Sequence, residues 1–143
     1  MVLIVCDTDF LMKVTVQPMP ELAAFLANPD FEITTIPRIE KELKGLSLSR
    51  KPSTAKNAGT ALRALHQSVK LVSQAPSSEN ADADRLLVDF AERSKDEAVV
   101  ATLDGTLLST LERKKLPYLT LRNNRPFYRT FSSATYLLDK TRC

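Results

Sequence analysis

Val2-Leu3-Ile4-Val5-Cys6-Asp7 decides how this chain folds. Apolar, largely β-branched residues run without a break into a single acid. An alternating pattern would mark a strand with one wet face. The unbroken run predicts a strand over Val2–Cys6 that is buried on both faces, as in a parallel sheet covered by helices. Asp7 then falls at the carboxyl end of that strand, where open α/β sheets bind their ligands.

Outward from this strand the pattern alternates. Pro20–Ala27 reads as a short helix with Leu22, Phe25 and Leu26 inward, broken by Asn28-Pro29-Asp30. Phe31–Ile36 reads as a second strand. Pro37 opens a helix at its first position, where a missing N–H costs nothing, and Ile39, Leu43 and Leu46 follow at helical spacing. Ser47–Ser53 is a polar, basic connection. Thr54–Val72 is the longest helical pattern, with Ala58, Ala61, Leu62, Leu65 and Val69 inward. A loop follows around Pro76. Ala83–Arg93 reads as a helix, Ala98–Thr102 as a strand, Gly105–Lys115 as a helix and Pro117–Leu121 as a strand. Phe127, Tyr128, Phe131 and Tyr136 are expected to pack the tail onto the domain. Strands alternating with helices predict an α/β fold with a largely parallel sheet, in one domain spanning residues 1–143.

Composition narrows the function classes. The 143 residues are 43% hydrophobic and 26% charged, which describes a globular chain with a real core. No apolar run approaches the length needed to cross a bilayer. The first strand is too short for a signal peptide and has no basic leader. The expectation is an intracellular, cytoplasmic protein that does not contact membranes. Cys6 and Cys143 show no metal-ligand spacing. A single histidine, His66, makes a zinc site of His and Cys unworkable, and its leucine- and arginine-rich surroundings read as surface or packing. Three glycines exclude both the phosphate-binding loop and the dinucleotide fingerprint. No serine or cysteine sits in a nucleophile elbow.

Four acids stand out: Asp7, Glu42, Asp84 and Asp104. Each lies where a predicted strand ends or near where a predicted helix begins, beside apolar residues. Gathered on one rim they would repel one another. A hard divalent cation such as Mg²⁺ or Mn²⁺, which takes oxygen ligands, would relieve that repulsion. Each acid also has an ordinary reading. Asp7 and Asp104 fit helix N-caps, and Glu42 fits a partner for a lysine one turn away. Asp82 and Asp84 both begin a helix, and periodicity separates them: Asp84 shares a face with Leu87, Val88 and Ala91, whereas Asp82 does not. Asp84 is therefore the site candidate and Asp82 the cap. Glu40 reads as solvated. Asp9 is a candidate fifth carboxylate, and Thr102 can turn its hydroxyl to the same rim.

The basic residues cluster. Between Arg38 and Lys70 the chain carries Arg38, Lys41, Lys44, Arg50, Lys51, Lys56, Arg63 and Lys70 against Glu40 and Glu42 alone. A second basic stretch runs from Arg113 to Arg129. Basic surface around an acidic centre suits a polyanion held by its phosphates; a solvated mixed surface is the plain alternative.

Taken together, Val5-Cys6-Asp7-Thr8-Asp9-Phe10-Leu11, Ile36-Pro37-Arg38-Ile39-Glu40-Lys41-Glu42-Leu43, Ala83-Asp84-Arg85-Leu86-Leu87, Val99-Val100-Ala101-Thr102-Leu103-Asp104 and Leu116-Pro117-Tyr118-Leu119 resemble a PIN domain, in order and over nearly the whole chain. The resemblance implies a three-layer fold with helices flanking a largely parallel sheet. It implies an endoribonuclease that hydrolyses RNA phosphodiesters with Mg²⁺ or Mn²⁺. Asp7, Glu42, Asp84 and Asp104 would be catalytic and would hold the metal, with Asp9 beside them. Substrate contacts are expected from Thr102, Arg38, Arg50 and Lys51. The Asp-Thr-Asp-Phe-Leu start resembles the ribosomal-RNA-processing branch and its archaeal relatives, and overlaps the VapC-type toxins. Three readings therefore stand: a processing nuclease, a toxin governed by an antitoxin, and a catalytically weak RNA-binding subunit among ribosome-assembly factors. A homodimer is compatible with each. The chain departs from the family at Asp9 and Leu103, where asparagine is usual.

Overall fold

β1 (Val2–Cys6) lies in the middle of the sheet, as its unbroken apolar run requires. The structure, a computed structural model, describes residues 2–68, 70–71, 82–94 and 97–131, with the backbone alone for 66–68 and 70–71. β1 pairs in parallel with β2 (Phe31–Thr35), Val2 opposite Phe31, and with β4 (Ala98–Ala101), Leu3 opposite Ala98. Ile4 and Val5 are wholly buried, and every residue of β4 is buried. β3 (Lys70–Leu71) extends the sheet beyond β2, and β5 (Tyr118–Arg122) extends it beyond β4, both in parallel. β6 (Arg125–Arg129) adds an antiparallel edge, giving the order β3-β2-β1-β4-β5-β6.

The helices are α1 (Thr8–Val16), α2 (Pro20–Leu26), α3 (Pro37–Leu46), α4 (Pro52–Ser68), α5 (Ala83–Arg93) and α6 (Gly105–Arg113). α1, α3 and α4 pack together, while α5 packs on β4 and borders α6. Right-handed crossovers put these two sets on opposite faces, so the fold has three layers. Phe10 and Leu11 of α1, Ile39 and Leu43 of α3, Leu87 of α5 and Leu111 of α6 are all buried. Each such side chain contributes about 1.5–3 kcal/mol on leaving water. The chain runs outward from β1 in one direction through β2 and β3, then in the other through β4, β5 and β6. The crevice between the carboxyl ends of β1 and β4 is thus the switch point of the sheet.

Most elements lie where the sequence pattern places them. α1 is an addition: the residues after Asp7 form a helix capped by Asp7 itself. The connection after α3 is shorter than expected, because α4 begins at Pro52, which fills a helix start as Pro37 does. The expected helix to Val72 ends at Ser68, and Lys70–Leu71 pairs with Thr34–Thr35 instead. A two-residue edge strand carries no periodicity, so nothing in the sequence marked it off from the helical pattern before it. The expected loop at 73–80, inward Val69, the side chain of His66, Cys143 and Tyr136 lie outside the described residues.

The tail resolves into a hairpin. Asn123 and Asn124 have φ values of 54° and 62°, both left-handed, which is the two-residue turn that matches strand twist. Tyr128 then meets Phe25 and Phe31 at centroid distances of 5.5 and 6.0 Å, joining α2, β2 and β6. No helix among the described residues is long and apolar enough to cross a membrane.

Candidate active site

Asp7 leaves β1 in an extended conformation and caps α1: its Oδ1 accepts from the Phe10 N–H at 2.9 Å. Its Oδ2 accepts from the Thr102 hydroxyl. Thr102 follows β4, is wholly buried, and its Oγ1 in turn accepts the Asp104 N–H at 3.1 Å. One hydroxyl therefore links the first acid to the backbone of the last. Asp7 is 8% exposed. That burial raises its pKa to about 6; the bonds from Thr102 and Phe10 oppose the rise, and the charges of Asp9 and Asp84 add to it. Burial, then the Asp7 charge, also drives the Cys6 thiol upward, so this neighbour stays protonated and is no nucleophile.

Asp104 is exposed and caps α6, its Oδ1 accepting from the Thr106 N–H at 2.9 Å. Asp84 stands in the first turn of α5, one helical turn before buried Leu87 and Val88. It is exposed, which departs from the apolar-face position that periodicity predicts. Partial burial, then the charges of Asp104, Asp82 and Glu42, raise its pKa, and the nearness of the Asp104 side chain adds to the rise. Asp82 caps α5 through the Arg85 N–H at 2.8 Å, separate from this cluster in role as periodicity requires. Glu42 is half-buried on α3 and accepts from the Thr8 hydroxyl at 2.9 Å. The lysine pairing open to Glu42 is made by Glu40 instead, with Lys44 at 3.6 Å.

The structure thus brings Asp7, Glu42 and Asp104 each within electrostatic range of Asp84, with Asp9 exposed beside Asp7. Among the described residues no three acidic, histidine or cysteine side chains converge closely enough to hold an ion between them. The donor set is nevertheless all oxygen, and two of its members resist ionising because of burial and one another. That chemistry fits a hard divalent cation. Arg38 is half-buried in the first turn of α3, near the rim. Arg50 and Lys51 are exposed in the connection between α3 and α4. Sequence reading missed Thr8; its place directly after Asp7, at the first position of an unrecognised helix, was the available signal.

No protein-family model matches this chain, and no curated protein matches it in sequence. Among solved structures, its fold is similar to that of the PIN domain endonuclease Utp24. The TM-score is 0.68 at 17% identity, covering 90% of this chain and 92% of that one. The chain has the PIN-domain fold, as the sequence resemblance implied.

Proposed function

We propose that this chain is a metal-dependent endoribonuclease that hydrolyses RNA phosphodiester bonds. The observation that carries the reading is the set of carboxylates that repel Asp84 beside the β1–β4 crevice, with Asp7 oriented by the buried Thr102 hydroxyl. The likeness to a structure described as an endonuclease supports it.

Asp7, Glu42, Asp84 and Asp104 are the residues that would hold Mg²⁺ or Mn²⁺, with Asp9 adding charge beside them. Such an ion supplies Lewis acidity toward a phosphate oxygen and toward water. The chain's own residues do the positioning. Thr102 and the Phe10 N–H fix the Asp7 carboxylate, which keeps lone pairs to spare after accepting both bonds. Thr8 holds Glu42 toward the crevice, and the α6 N-terminus fixes Asp104. Arg38 supplies positive charge near the rim for the substrate phosphate, while Arg50 and Lys51 offer outlying contacts. Ribosomal RNA is the finer substrate reading, supported by the Asp7-Thr8-Asp9-Phe10-Leu11 start.

The test is cleavage of labelled ribosomal-RNA fragments and unstructured RNA with Mg²⁺, with Mn²⁺ and with EDTA. Cleavage is expected only with metal and not in Asp7→Asn or Asp84→Asn protein. Cleavage that survives EDTA, or survives both substitutions, removes the reading. RNA binding without cleavage under every condition selects the binding subunit instead.

A further inference from the structure

One side of the β5–β6 ribbon faces α6, and between them lies an open concavity that includes Glu112, Arg113, Tyr118, Arg122, Phe127 and Arg129. Glu112 is engaged within it. It accepts from the Tyr118 hydroxyl at 2.9 Å and from Arg129 at 3.1 and 3.3 Å. Arg122 is held in another way: its guanidinium carbon lies 3.7 Å from the centroid of the Phe127 ring. Stacking holds the guanidinium flat and leaves its in-plane donors for an anion. Among the described residues neither Arg113 nor Arg122 forms an ion pair. The concavity therefore carries three guanidinium groups against one carboxylate that is already bonded to the third.

Its direction matters more than its charge. β4 and β5 are parallel with Ala101 opposite Leu119, and the Thr102 N–H donates to Leu119 O. Arg122, at the end of β5, therefore stands at the same end of the sheet as Asp7 and Thr102. α6 starts at the Asp104 cap and runs back, carrying Arg113 about 13 Å away by helical rise. Arg122 thus stands toward the carboxylate rim, and Arg113 and Arg129, on either side of Glu112, stand toward the opposite end of the sheet.

We propose that this concavity binds the single-stranded flank of the RNA whose scissile phosphate lies at the carboxylates, with Arg122 on the phosphate nearer the rim and Arg113 on one farther along. The proposal rests on the RNA reading above and adds a path to it. Unpaired arginines at two separated points of one concavity match successive phosphates of a single strand. The contacts are to phosphate, so they are independent of sequence. An acidic protein would need an apolar anchor at the centre of its interface. The two aromatics here offer none, because Phe127 lies under Arg122 and Tyr118 is 7% exposed, which leaves half-buried Leu108 as the one aliphatic side chain in the lining.

The test is fluorescence anisotropy with labelled oligouridylates of increasing length, in EDTA so that the RNA stays intact, at several salt concentrations. Wild-type affinity is expected to rise with length. In Arg113→Gln/Arg122→Gln protein the gain with length should disappear, and the slope of log affinity against log salt should fall by about 1.4, or about 0.7 per phosphate contact. Arg113→Gln alone, at the exposed end of α6, should lower the slope by about 0.7 and keeps the test available if the double variant does not fold. Arg122→Lys, which keeps the charge and loses the flat stack, should fall between. The same length dependence and slope in the double variant as in the wild type would overturn the proposal. So would displacement of the RNA by polyglutamate as effective as that by unlabelled RNA, which would assign the surface to an acidic protein. Wild-type binding that does not change with length removes the path alone, whereas no binding at any length removes the RNA reading with it.

Discussion

Asp7 has two duties that pull in opposite directions. As a cap it gains from two hydrogen bonds; as a buried carboxylate it resists ionising, and its pKa rises from 3.8 to about 6. A carboxyl group that binds its proton more tightly folded than unfolded makes the metal-free protein less stable as pH rises. The cost should be absent below about pH 4, grow between about pH 4 and 6, and reach about 3 kcal/mol above that. Urea unfolding in EDTA should therefore show Asp7→Asn gaining on the wild type from pH 4 to pH 7, because asparagine keeps an acceptor and loses the titration. A difference that stays flat with pH would mean that Asp7 ionises normally. Saturating Mg²⁺ or Mn²⁺ should raise the wild-type melting temperature and leave that of Asp7→Asn unmoved. The neighbouring pair on α5 divides similarly. Asp82→Ala removes a cap bonded at 2.8 Å and should cost about 1 kcal/mol while sparing cleavage. Asp84→Asn should abolish cleavage with little change in urea midpoint. The opposite pattern would exchange their roles.

The end of α6 shows how an element stops without glycine. Lys115 has φ 56°, the Leu116 N–H reaches Leu111 O at 2.9 Å, and the Lys115 N–H reaches Glu112 O at 3.1 Å. This is the Schellman arrangement, with buried Leu111 and Leu116 as its apolar contact. A lysine in the left-handed region is strained where glycine is not. Lys115→Gly should raise stability by on the order of 0.5–1 kcal/mol in a thermal melt, after allowing for the greater freedom of glycine in the unfolded chain. A loss of stability would show that the lysine side chain has a contact that matters more than the strain. β6 illustrates an edge made safe: Arg125, Pro126 and Arg129 punctuate it, which discourages another chain from pairing there.

Among the described residues the candidate acids and the two basic surfaces occupy different parts of the molecule. Asp7 and Asp104 follow the carboxyl ends of β1 and β4, with Asp84 in range of both, while basic residues occupy the connection after α3 and the β5–β6 side. If the connection binds RNA, Arg50→Glu/Lys51→Glu should weaken binding and reduce its salt slope by about 1.4, from two lost contacts. Since these residues lie beyond the far end of α3, the stabilisation by metal seen in melting curves should not change. Equal affinity and slope in the double mutant would leave the connection as solvated surface.

Strands β1 and β4 and helices α3 and α5 were legible because their apolar spacing answers directly to burial. So was Asp82 as the cap of α5, whereas Asp84, which periodicity put on the apolar face, is exposed because it sits in the first turn, ahead of the buried part of the helix. The hairpin was harder to read because two asparagines, rather than Asn-Gly, take its left-handed positions, and β3 was not legible because two residues have no period. What only the tertiary structure decided is the linkage of the acids. Thr102 is 95 positions from Asp7 and bonds to it, and Thr8 is 34 positions from Glu42 and bonds to it. Nothing local specifies such pairs. They follow from the parallel register of β1 and β4 and the packing of α1 beside α3. The sequence determined that carboxylates would stand at the ends of buried strands. The sheet order decided that those ends would share one crevice, because a parallel sheet that reverses its winding between β1 and β4 leaves its two central carboxyl ends side by side.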